Sequence, residues 1–300
     1  MRIEHLIQFG IINIDKPAGP TSHQVTEYVR KILHVDKSGH SGTLDPGVTG
    51  CLPIALGNAS RILELMLKYG KEYVCVAELH TDHNEAEIKK VLMSFLGEIE
   101  QLPPVKSSVK RELRKRTIYE LEILEIRKRK VLFRVSCQAG TYIRKLVHDF
   151  GEKIGGGANM AELRRTRAGM FDESSLVTLN DLRDAYELWK EGKDQHNPAA
   201  EKKGEELLRS YIQELEVTIK DLPKIEINSE GKQKVLHGQA LRGNDITRYD
   251  KGNKDATVAV MDNNRLIALG IYVRESKFIQ VKEERIAASI FKVFNRPDFE

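Results

Sequence analysis

The 300-residue sequence predicts an α+β fold, with a mixed β-sheet and flanking helices in a large first domain and a small β-barrel after it. Helical and strand patterns alternate through the first part without the regular βαβ period of a doubly wound sheet. From Pro223 onward, short β-rich runs are separated by turn residues. The length also suits one large domain with a smaller companion. We therefore expect one domain at residues 1–222 and a second at residues 223–300.

The chain begins with the pattern of a strand, a turn and a helix. The run "GIINID" at 10–15 is typical of a short strand, and "TSHQVTEYVRKIL" then predicts a helix with Ser22 as N-cap. The apolar side of that helix is Val25, Tyr28, Val29, Ile32 and Leu33. A second helix is predicted from Asn58 to Gly70. It is followed by "KEYVCVAELH", whose alternating apolar residues indicate a strand.

The middle of the chain continues this mixture. "EAEIKKVLMSFLG" is an amphipathic helix pattern, and "TIYELEILEI" and "VLFRVSCQAG" are two β-rich runs. A helix is then expected from near Thr141, with an inward face made of Ile143, Leu146, Val147 and Phe150. Residues 190–206 lack large apolar side chains, which predicts an exposed connection or a frayed helix start. A further helix, "ELLRSYIQELEVTI", leads to the second domain.

Composition limits the class of protein. Hydrophobic residues make up 40% and charged residues 31%, and no stretch is apolar for long enough to span a bilayer. The N-terminus lacks the pattern of a signal peptide, so a cytoplasmic protein is expected. Cys51, Cys75 and Cys137 lie far apart, which supports neither a disulfide framework nor a zinc site, and we expect three buried thiols.

A basic cluster lies in "VKSSVKRELRKRT", within a chain of net charge +4. Six cations face one acid, Glu112, which gives a local balance of about +5. The cations are Lys106, Lys110, Arg111, Arg114, Lys115 and Arg116. The residues themselves leave two interpretations open, a surface that binds a polyanion and a solvated basic loop.

The stretch "SGHSGTLDPGVTG" at 38–50 combines four glycines with one carboxylate, Asp45. Glycine lets the backbone approach a ligand closely. The stretch is neither a P-loop nor a dinucleotide-binding fingerprint, so it does not predict a phosphate site. Functional residues concentrate in such loops, and Asp45, next to His40 and Thr43, is a candidate nucleophile or base. The alternative is that Asp45 and Pro46 simply form a turn.

The same loop resembles the signature of the TruB family of pseudouridine synthases. Other family motifs follow in the family's order: "INIDKPAGPTSHQV", "KEYVCVAEL", "AGTYIRKL" and "MAELRRTRAG". "PPVKSSVKRELRKRT" and the form of the loop are similar to the archaeal and dyskerin-like branch, the catalytic subunit of H/ACA ribonucleoproteins. The C-terminal stretches "LHGQAL" and "LIALGIYV" resemble a PUA domain. No lysine-rich tail follows Glu300, which favours an archaeal cytoplasm over a nucleolus.

The resemblance implies an enzyme that isomerises uridine in RNA to pseudouridine without a cofactor or metal. By match to the motifs, Asp45 is the reactive carboxylate, and Arg144 pairs with it, favouring its ionised form and fixing its orientation. Tyr73 would stack on the target base. His40 would fill the space left by the flipped base, and Leu163 would line the uracil pocket. Lys16, in "DKP", resembles a positioning residue of the first motif and is grouped with the substrate-binding residues.

Binding of RNA is assigned to the basic cluster together with Arg164, Arg165 and Arg167. The implied partners are an H/ACA guide RNA, substrate rRNA or the TΨC-loop uridine of tRNA, small Nop-type and Gar-type proteins, and a kink-turn-binding protein. Two other classes of function are considered. One is a catalytically silent RNA-binding scaffold, which the intact Asp45, Tyr73 and Arg144 disfavour. The other is a nucleosidase or glycosidase, which would require a second carboxylate beside the scissile bond.

Overall fold

Two β-sheets organise the chain in a computed structural model that describes residues 2–102, 112–281 and 283–294. The helices are α1 Ile3–Phe9, α2 Ser22–Ile32, α3 Leu63–Leu67, α4 Glu85–Met93, α5 Ile143–Ile154, α6 Leu179–Asp194, α7 Pro198–Tyr211 and α8 Ser229–Leu236. Short 3₁₀ helices lie at Gly57–Ile62, Glu173–Ser175, Leu215–Ile219, Gly243–Asp245 and Ser276–Phe278.

The strands divide between a larger first sheet and a smaller second one. The first sheet contains β1 Gly10–Lys16, β2 Ser38–His40, β3 Thr49–Leu56, β4 Lys71–Leu79, β5 Gly97–Gln101, β6 Arg114–Arg127, β7 Lys130–Cys137, β8 Ala158–Ala168, β9 Phe171–Asp172, β10 Leu176–Val177 and β11 Ile212–Glu214. The second contains β12 Lys224–Ile227, β13 Leu241–Arg242, β14 Ile246–Tyr249, β15 Thr257–Asp262, β16 Arg265–Tyr272 and β17 Ile286–Val293.

The first sheet is mixed, as predicted. Its described strands follow the order β10-β1-β3-β8-β4-β7-β6-β5, while β11, β2 and β9 pair with β1, β3 and β8. The pairs β1/β10 and β3/β8 are parallel, and the other pairs in this sheet are antiparallel. Helices flank the sheet because each buries one apolar face against it. The parallel contact of β3 with β8 lies near the middle of the sheet, beside the Asp45 loop.

Several predicted elements are confirmed. Burial alternates along β4, and α5 buries the four residues predicted to face inward. Helix α2 starts one residue after its N-cap Thr21, whose side chain forms a capping box with Gln24, so the predicted cap at Ser22 is displaced by one position. Tyr28 is 43% exposed rather than inward, because the buried face is the narrower stripe of Val25 and Val29.

Residues 190–206, predicted to be an exposed connection or a frayed helix start, are mostly exposed, but most of them are helical. Helices α6 and α7 cover most of this stretch and pack as an antiparallel pair joined by a short turn. A Cβ at Gly192 would lie 2.2 Å from the Glu201 nitrogen, and one at Gly204 would lie 2.3 Å from the Trp189 nitrogen. Glycines therefore permit a close helix contact where large apolar residues are absent. The helix expected at 206–219 also ends at Tyr211, and the one expected at 58–70 is a 3₁₀ turn followed by α3.

The second sheet confirms the predicted small β-rich unit and has a barrel-like form. Its order is β13-β17-β16-β15-β12-β14, around a core of its own. A separate apolar cluster joins it to the first sheet, with Ile11 and Phe171 on one side and Met261 and Phe294 on the other. The second unit is thus packed against the first through buried side chains.

Two expectations from composition can be compared with the described residues. None of the helices within 2–102, 112–281 and 283–294 has both the length and the apolar character needed to cross a bilayer. Cys51, Cys75 and Cys137 are buried free thiols, as predicted. Burial raises the pKa of these thiols to about 11, 12 and 11, respectively, which keeps them protonated.

Candidate active site

The Asp45 loop connects β2 with β3 and is anchored in the core on both sides of the carboxylate. Leu44 and Val48 are buried at 4% and 3% exposure. The Ser22 hydroxyl, on α2, accepts a hydrogen bond from the Leu44 N–H at 2.8 Å and donates to the Leu44 carbonyl at 3.1 Å. The Asp45 side chain itself is 51% exposed. The loop therefore fixes its backbone and presents a single carboxylate to solvent.

Lys16, at the end of β1, is completely buried beneath this loop. Its ammonium group donates to the carbonyls of Pro17 at 2.9 Å, Pro46 at 3.0 Å and Val48 at 2.9 Å. Burial lowers the pKa of Lys16, and the nearby Asp45 carboxylate partly opposes this shift. All three donors are used within the protein. Lys16 therefore holds the backbone around Asp45, which supports a positioning role rather than direct contact with substrate.

Arg165, on β8, is a second buried cation that organises the loop. It is 1% exposed, and its guanidinium donates to the Cys51 carbonyl at 2.7 Å and to the Gly42 carbonyl at 3.1 Å. Gly50 makes the approach possible, because its φ is +99° and a Cβ there would lie 2.2 Å from the Arg165 carbonyl oxygen. The prediction that Arg165 binds RNA is wrong, since a buried guanidinium committed to loop carbonyls has no access to phosphate.

Arg144 forms an ion pair with the Asp45 carboxylate, as expected from the sequence. It is the second residue of α5, so its position depends on the first turn of that helix. The Arg144 side chain is 60% exposed and that of Asp45 is 51% exposed. The ion pair is therefore exposed to solvent and contributes little to stability.

We expect Arg144→Ala to lower turnover strongly while leaving the fold intact. The guanidinium orients the carboxylate, but an exposed pair contributes only about 0 to 1 kcal/mol to the free energy of unfolding. Steady-state rates of product formation and a denaturant titration would check this. A variant that unfolds easily, or one with wild-type turnover, would contradict the expectation.

Asp45 and Arg144 border an open cleft of about 820 Å³. Its walls combine aliphatic side chains with charged ones, a common composition for a ligand site. The residues that line it are Ala18, Asp45, Gly47, Val48, Thr49, Val74, Val76, Leu132, Arg144, Met160, Ala161, Glu162, Leu163, Arg164, Thr166 and Glu173. Leu163 thus lines the cleft, and its predicted contact with uracil stays a prediction. Val74 and Val76 were not predicted to line the cleft. The alternation of β4 could have indicated them, because it places both on the face opposite to the buried Tyr73 and Cys75.

Tyr73 and His40 lie beside the loop, outside this lining. Tyr73 is 8% exposed and packs in the core cluster that contains Leu44 and Val48. Burial raises the pKa of Tyr73, and the Arg165 charge partly opposes that shift. The His40 Nδ1 accepts a hydrogen bond from the Gly42 N–H at 3.3 Å, and burial together with Arg165 lowers the pKa of His40. The roles of both residues toward a base remain predictions.

The predicted RNA-binding cations are only partly described. Lys106, Lys110 and Arg111 lie outside the described residues. Most of the others have acidic or backbone partners. Lys115 pairs with Glu98, Arg116 donates to the Lys115 carbonyl, Arg164 pairs with Asp15 and Glu173, Arg167 pairs with Glu72, and Arg114 is half-buried. Within the described part, neighbouring carboxylates therefore offset the charge of Lys115, Arg164 and Arg167.

Comparison with known proteins now places the chain. Residues 30–143 match the family model "TruB family pseudouridylate synthase (N terminal domain)". Residues 144–220 match "tRNA pseudouridylate synthase B C-terminal domain", and residues 2–26 match the "DKCLD (NUC011) domain". Two curated relatives bear the name "Probable tRNA pseudouridine synthase B". The one from Methanopyrus kandleri is 48% identical over 90% of this chain and 77% of its own length. The one from Methanothermobacter thermautotrophicus is 44% identical over 98% and 89%.

Solved structures agree with this placement. The chain is similar to one described as "Crystal structure of the archaeal box H/ACA sRNP Nop10-Cbf5 complex", with a TM-score of 0.87 and 42% identity over 100% of this chain and 90% of that one. A second, "Crystal Structure of a Cbf5-Nop10-Gar1 Complex", gives a TM-score of 0.87 and 43% identity over 99% and 88%. With these matches over nearly its whole length, the chain belongs to the TruB family and is a pseudouridine synthase.

Proposed function

We propose that this pseudouridine synthase isomerises specific uridines in RNA with Asp45 as its reactive carboxylate. The observation that carries the proposal is an exposed carboxylate on a backbone fixed from two sides, paired with Arg144 at the edge of a cleft. Charge-assisted pairing with a guanidinium favours one orientation of the carboxylate. A fixed carboxylate that solvent and substrate can reach suits a nucleophile or a base.

The reaction needs no cofactor, because atoms and electrons balance within the nucleotide. The bond from N1 to C1′ breaks, the base turns, and a bond from C5 to C1′ forms. The proton leaves C5, and N1 gains one. The fold would therefore supply binding, orientation and a carboxylate that participates directly.

The target uridine must leave its helix or stem before it reaches the carboxylate, which costs a few kcal/mol of unstacking. Leu163 provides an apolar surface in the cleft for the uracil. We propose that Tyr73 and His40, which border the loop, act on the flipped base and on the space it leaves. To fill the space left by the base, the His40 side chain would have to move. Its environment allows this, since the side chain is half-buried and accepts a hydrogen bond of 3.3 Å from the Gly42 N–H.

We further propose that the chain works as the catalytic subunit of a guide-RNA ribonucleoprotein in the cytoplasm. Similarity to structures of Cbf5 with Nop10, with Gar1 and with substrate RNA supports this assembly. Its partners would be an H/ACA guide RNA, Nop-type and Gar-type proteins, and a kink-turn-binding protein. Substrates would be rRNA and the TΨC-loop uridine of tRNA, and the names of the curated relatives support the tRNA activity.

The second sheet is proposed to act as a PUA domain that grips the end of the guide RNA or of tRNA. Its barrel-like sheet and its "LHGQAL" and "LIALGIYV" stretches support this assignment. The apolar cluster that it shares with the first sheet would hold the bound RNA end at a fixed distance from the catalytic domain.

The test is pseudouridine formation by the purified chain on tRNA and on an rRNA fragment, with and without a matched guide RNA and the accessory proteins. Activity on the rRNA fragment only in the full assembly supports the ribonucleoprotein subunit. Activity of the chain alone on tRNA supports a stand-alone tRNA enzyme in addition. Absence of product under every condition, with RNA still bound, would favour the silent scaffold and overturn the proposal.

A further inference from the structure

Gln101, at the end of edge strand β5, is a buried polar residue that the proposed chemistry does not use. It is 2% exposed. Leaving a buried amide without partners would cost about 1 to 3 kcal/mol for each polar group, so its partners identify what it does. Both partners belong to one residue, Tyr142, which lies 41 positions further along the chain.

The two hydrogen bonds have the pattern of a strand pairing. The Gln101 side-chain NH₂ donates to the Tyr142 carbonyl at 3.1 Å, and the Tyr142 N–H donates to the Gln101 side-chain carbonyl at 3.0 Å. An amide side chain carries the same donor and acceptor as a peptide group. Gln101 therefore holds the backbone of Tyr142 as a neighbouring strand would.

Tyr142 is the N-cap residue of α5, and its own side chain makes no capping hydrogen bond. Its carbonyl also accepts the Leu146 N–H at 3.0 Å, the first bond of the helix. The Gln101 amide is thus hydrogen-bonded to the N-cap residue, whose backbone determines the direction of the first turn of the helix. Arg144 follows two residues later in that turn.

The position of the Arg144 guanidinium depends on this backbone. At 60% exposure the side chain is only partly restrained by packing, and an exposed ion pair contributes little energy to hold it in place. The direction of the first turn of α5 determines where its guanidinium meets the Asp45 carboxylate.

We infer that Gln101 is a positioning residue for the reaction, one that fixes the start of α5 and thereby the approach of Arg144 to Asp45. The inference rests on the proposed function, because it requires the Arg144–Asp45 pair to act in turnover. Gln101 touches neither partner of that pair and works through the backbone of Tyr142.

The first test compares Gln101→Leu with Gln138→Leu. Gln138 is the control because it is a half-buried glutamine that undergoes the same chemical change. Its side-chain carbonyl accepts a hydrogen bond of 3.2 Å from the N–H of Thr117, a residue of β6. We expect Gln101→Leu to lower kcat about tenfold or more, since a small misplacement of a catalytic group is costly, with KM within about twofold of wild type. Gln138→Leu should keep wild-type kcat. Equal kcat values for the two folded variants would overturn the inference.

The second test uses Gln101→Glu and remains decisive if the leucine variant does not fold. A protonated glutamic acid can donate to the Tyr142 carbonyl and accept from its N–H, whereas the ionised form cannot donate. Burial favours the protonated form. The ratio of the variant's kcat to that of wild type should therefore rise as pH falls, and a ratio independent of pH would refute the positioning role.

Both tests are run in the assembly that supports wild-type turnover, beside Asp45→Asn. If Asp45→Asn keeps wild-type activity, the proposed function fails regardless of Gln101. If Asp45→Asn is inactive and the Gln101 variants match wild type at every pH, only the positioning role fails. The two failures are therefore distinguishable.

Discussion

Asp45→Asn is expected to abolish pseudouridine formation while the protein stays folded and binds RNA. Asparagine has nearly the same shape, but it cannot act as an anionic nucleophile or base, so we expect a rate loss of roughly 10⁴-fold or more. The loop would keep its form, because Lys16 and Arg165 hold backbone carbonyls rather than the Asp45 side chain. The measurements are product formation and equilibrium RNA binding by the same preparation.

Asp82→Asn provides a matched control, because it removes the same charge from an exposed loop. Asp82 is 94% exposed and lies 4.0 Å from the Arg129 guanidinium. It should have wild-type turnover and a nearly unchanged free energy of unfolding. Residual activity in Asp45→Asn above that of a sample without enzyme would show that the carboxylate is not essential. Loss of RNA binding in a folded Asp45→Asn protein would show that its role is binding.

Lys16→Met is expected to lower the free energy of unfolding by about 2 to 4 kcal/mol and to reduce turnover as well. The change removes three hydrogen bonds from a charged donor and leaves the Pro17 carbonyl and two carbonyls just after Asp45, those of Pro46 and Val48, without that partner. Methionine fills much of the space, so the loss is mainly polar. A denaturant titration measures the stability, and kcat of the remaining folded protein measures the effect on the site.

Lys71→Met is a control that separates the loss of stability from the loss of turnover. Lys71 is also buried, at 7% exposure, and its ammonium donates to carbonyls of another turn, those of Met66, Leu67 and Tyr69. It should lose a similar amount of stability with a smaller change in kcat than Lys16→Met. A Lys16→Met protein as stable as wild type would contradict the assignment of Lys16 as the support of the loop.

The elements that periodicity could predict were those in which local spacing and burial agree. Strand β4 and helix α5 carry strong periods of two and 3.6, and both lie where expected. The α6–α7 pair was missed because its contact depends on Gly192 and Gly204, which carry no apolar pattern and matter only when another backbone lies against them. A glycine that permits close packing and a glycine that marks a loop look alike in a sequence.

By itself, the sequence determined the family and predicted that Asp45 and Arg144 pair, since both lie in motifs whose resemblance covers nearly the whole chain. Only the tertiary structure decided how charged side chains are used. The sequence predicted RNA binding for Arg165 and a substrate-binding or positioning role for Lys16, yet both are buried and hold the loop backbone, because their hydrogen-bond acceptors are carbonyls from distant segments. Gln101 likewise has no local signal. Such contacts depend on which segments meet in space, and a one-dimensional pattern of residue types does not contain that information.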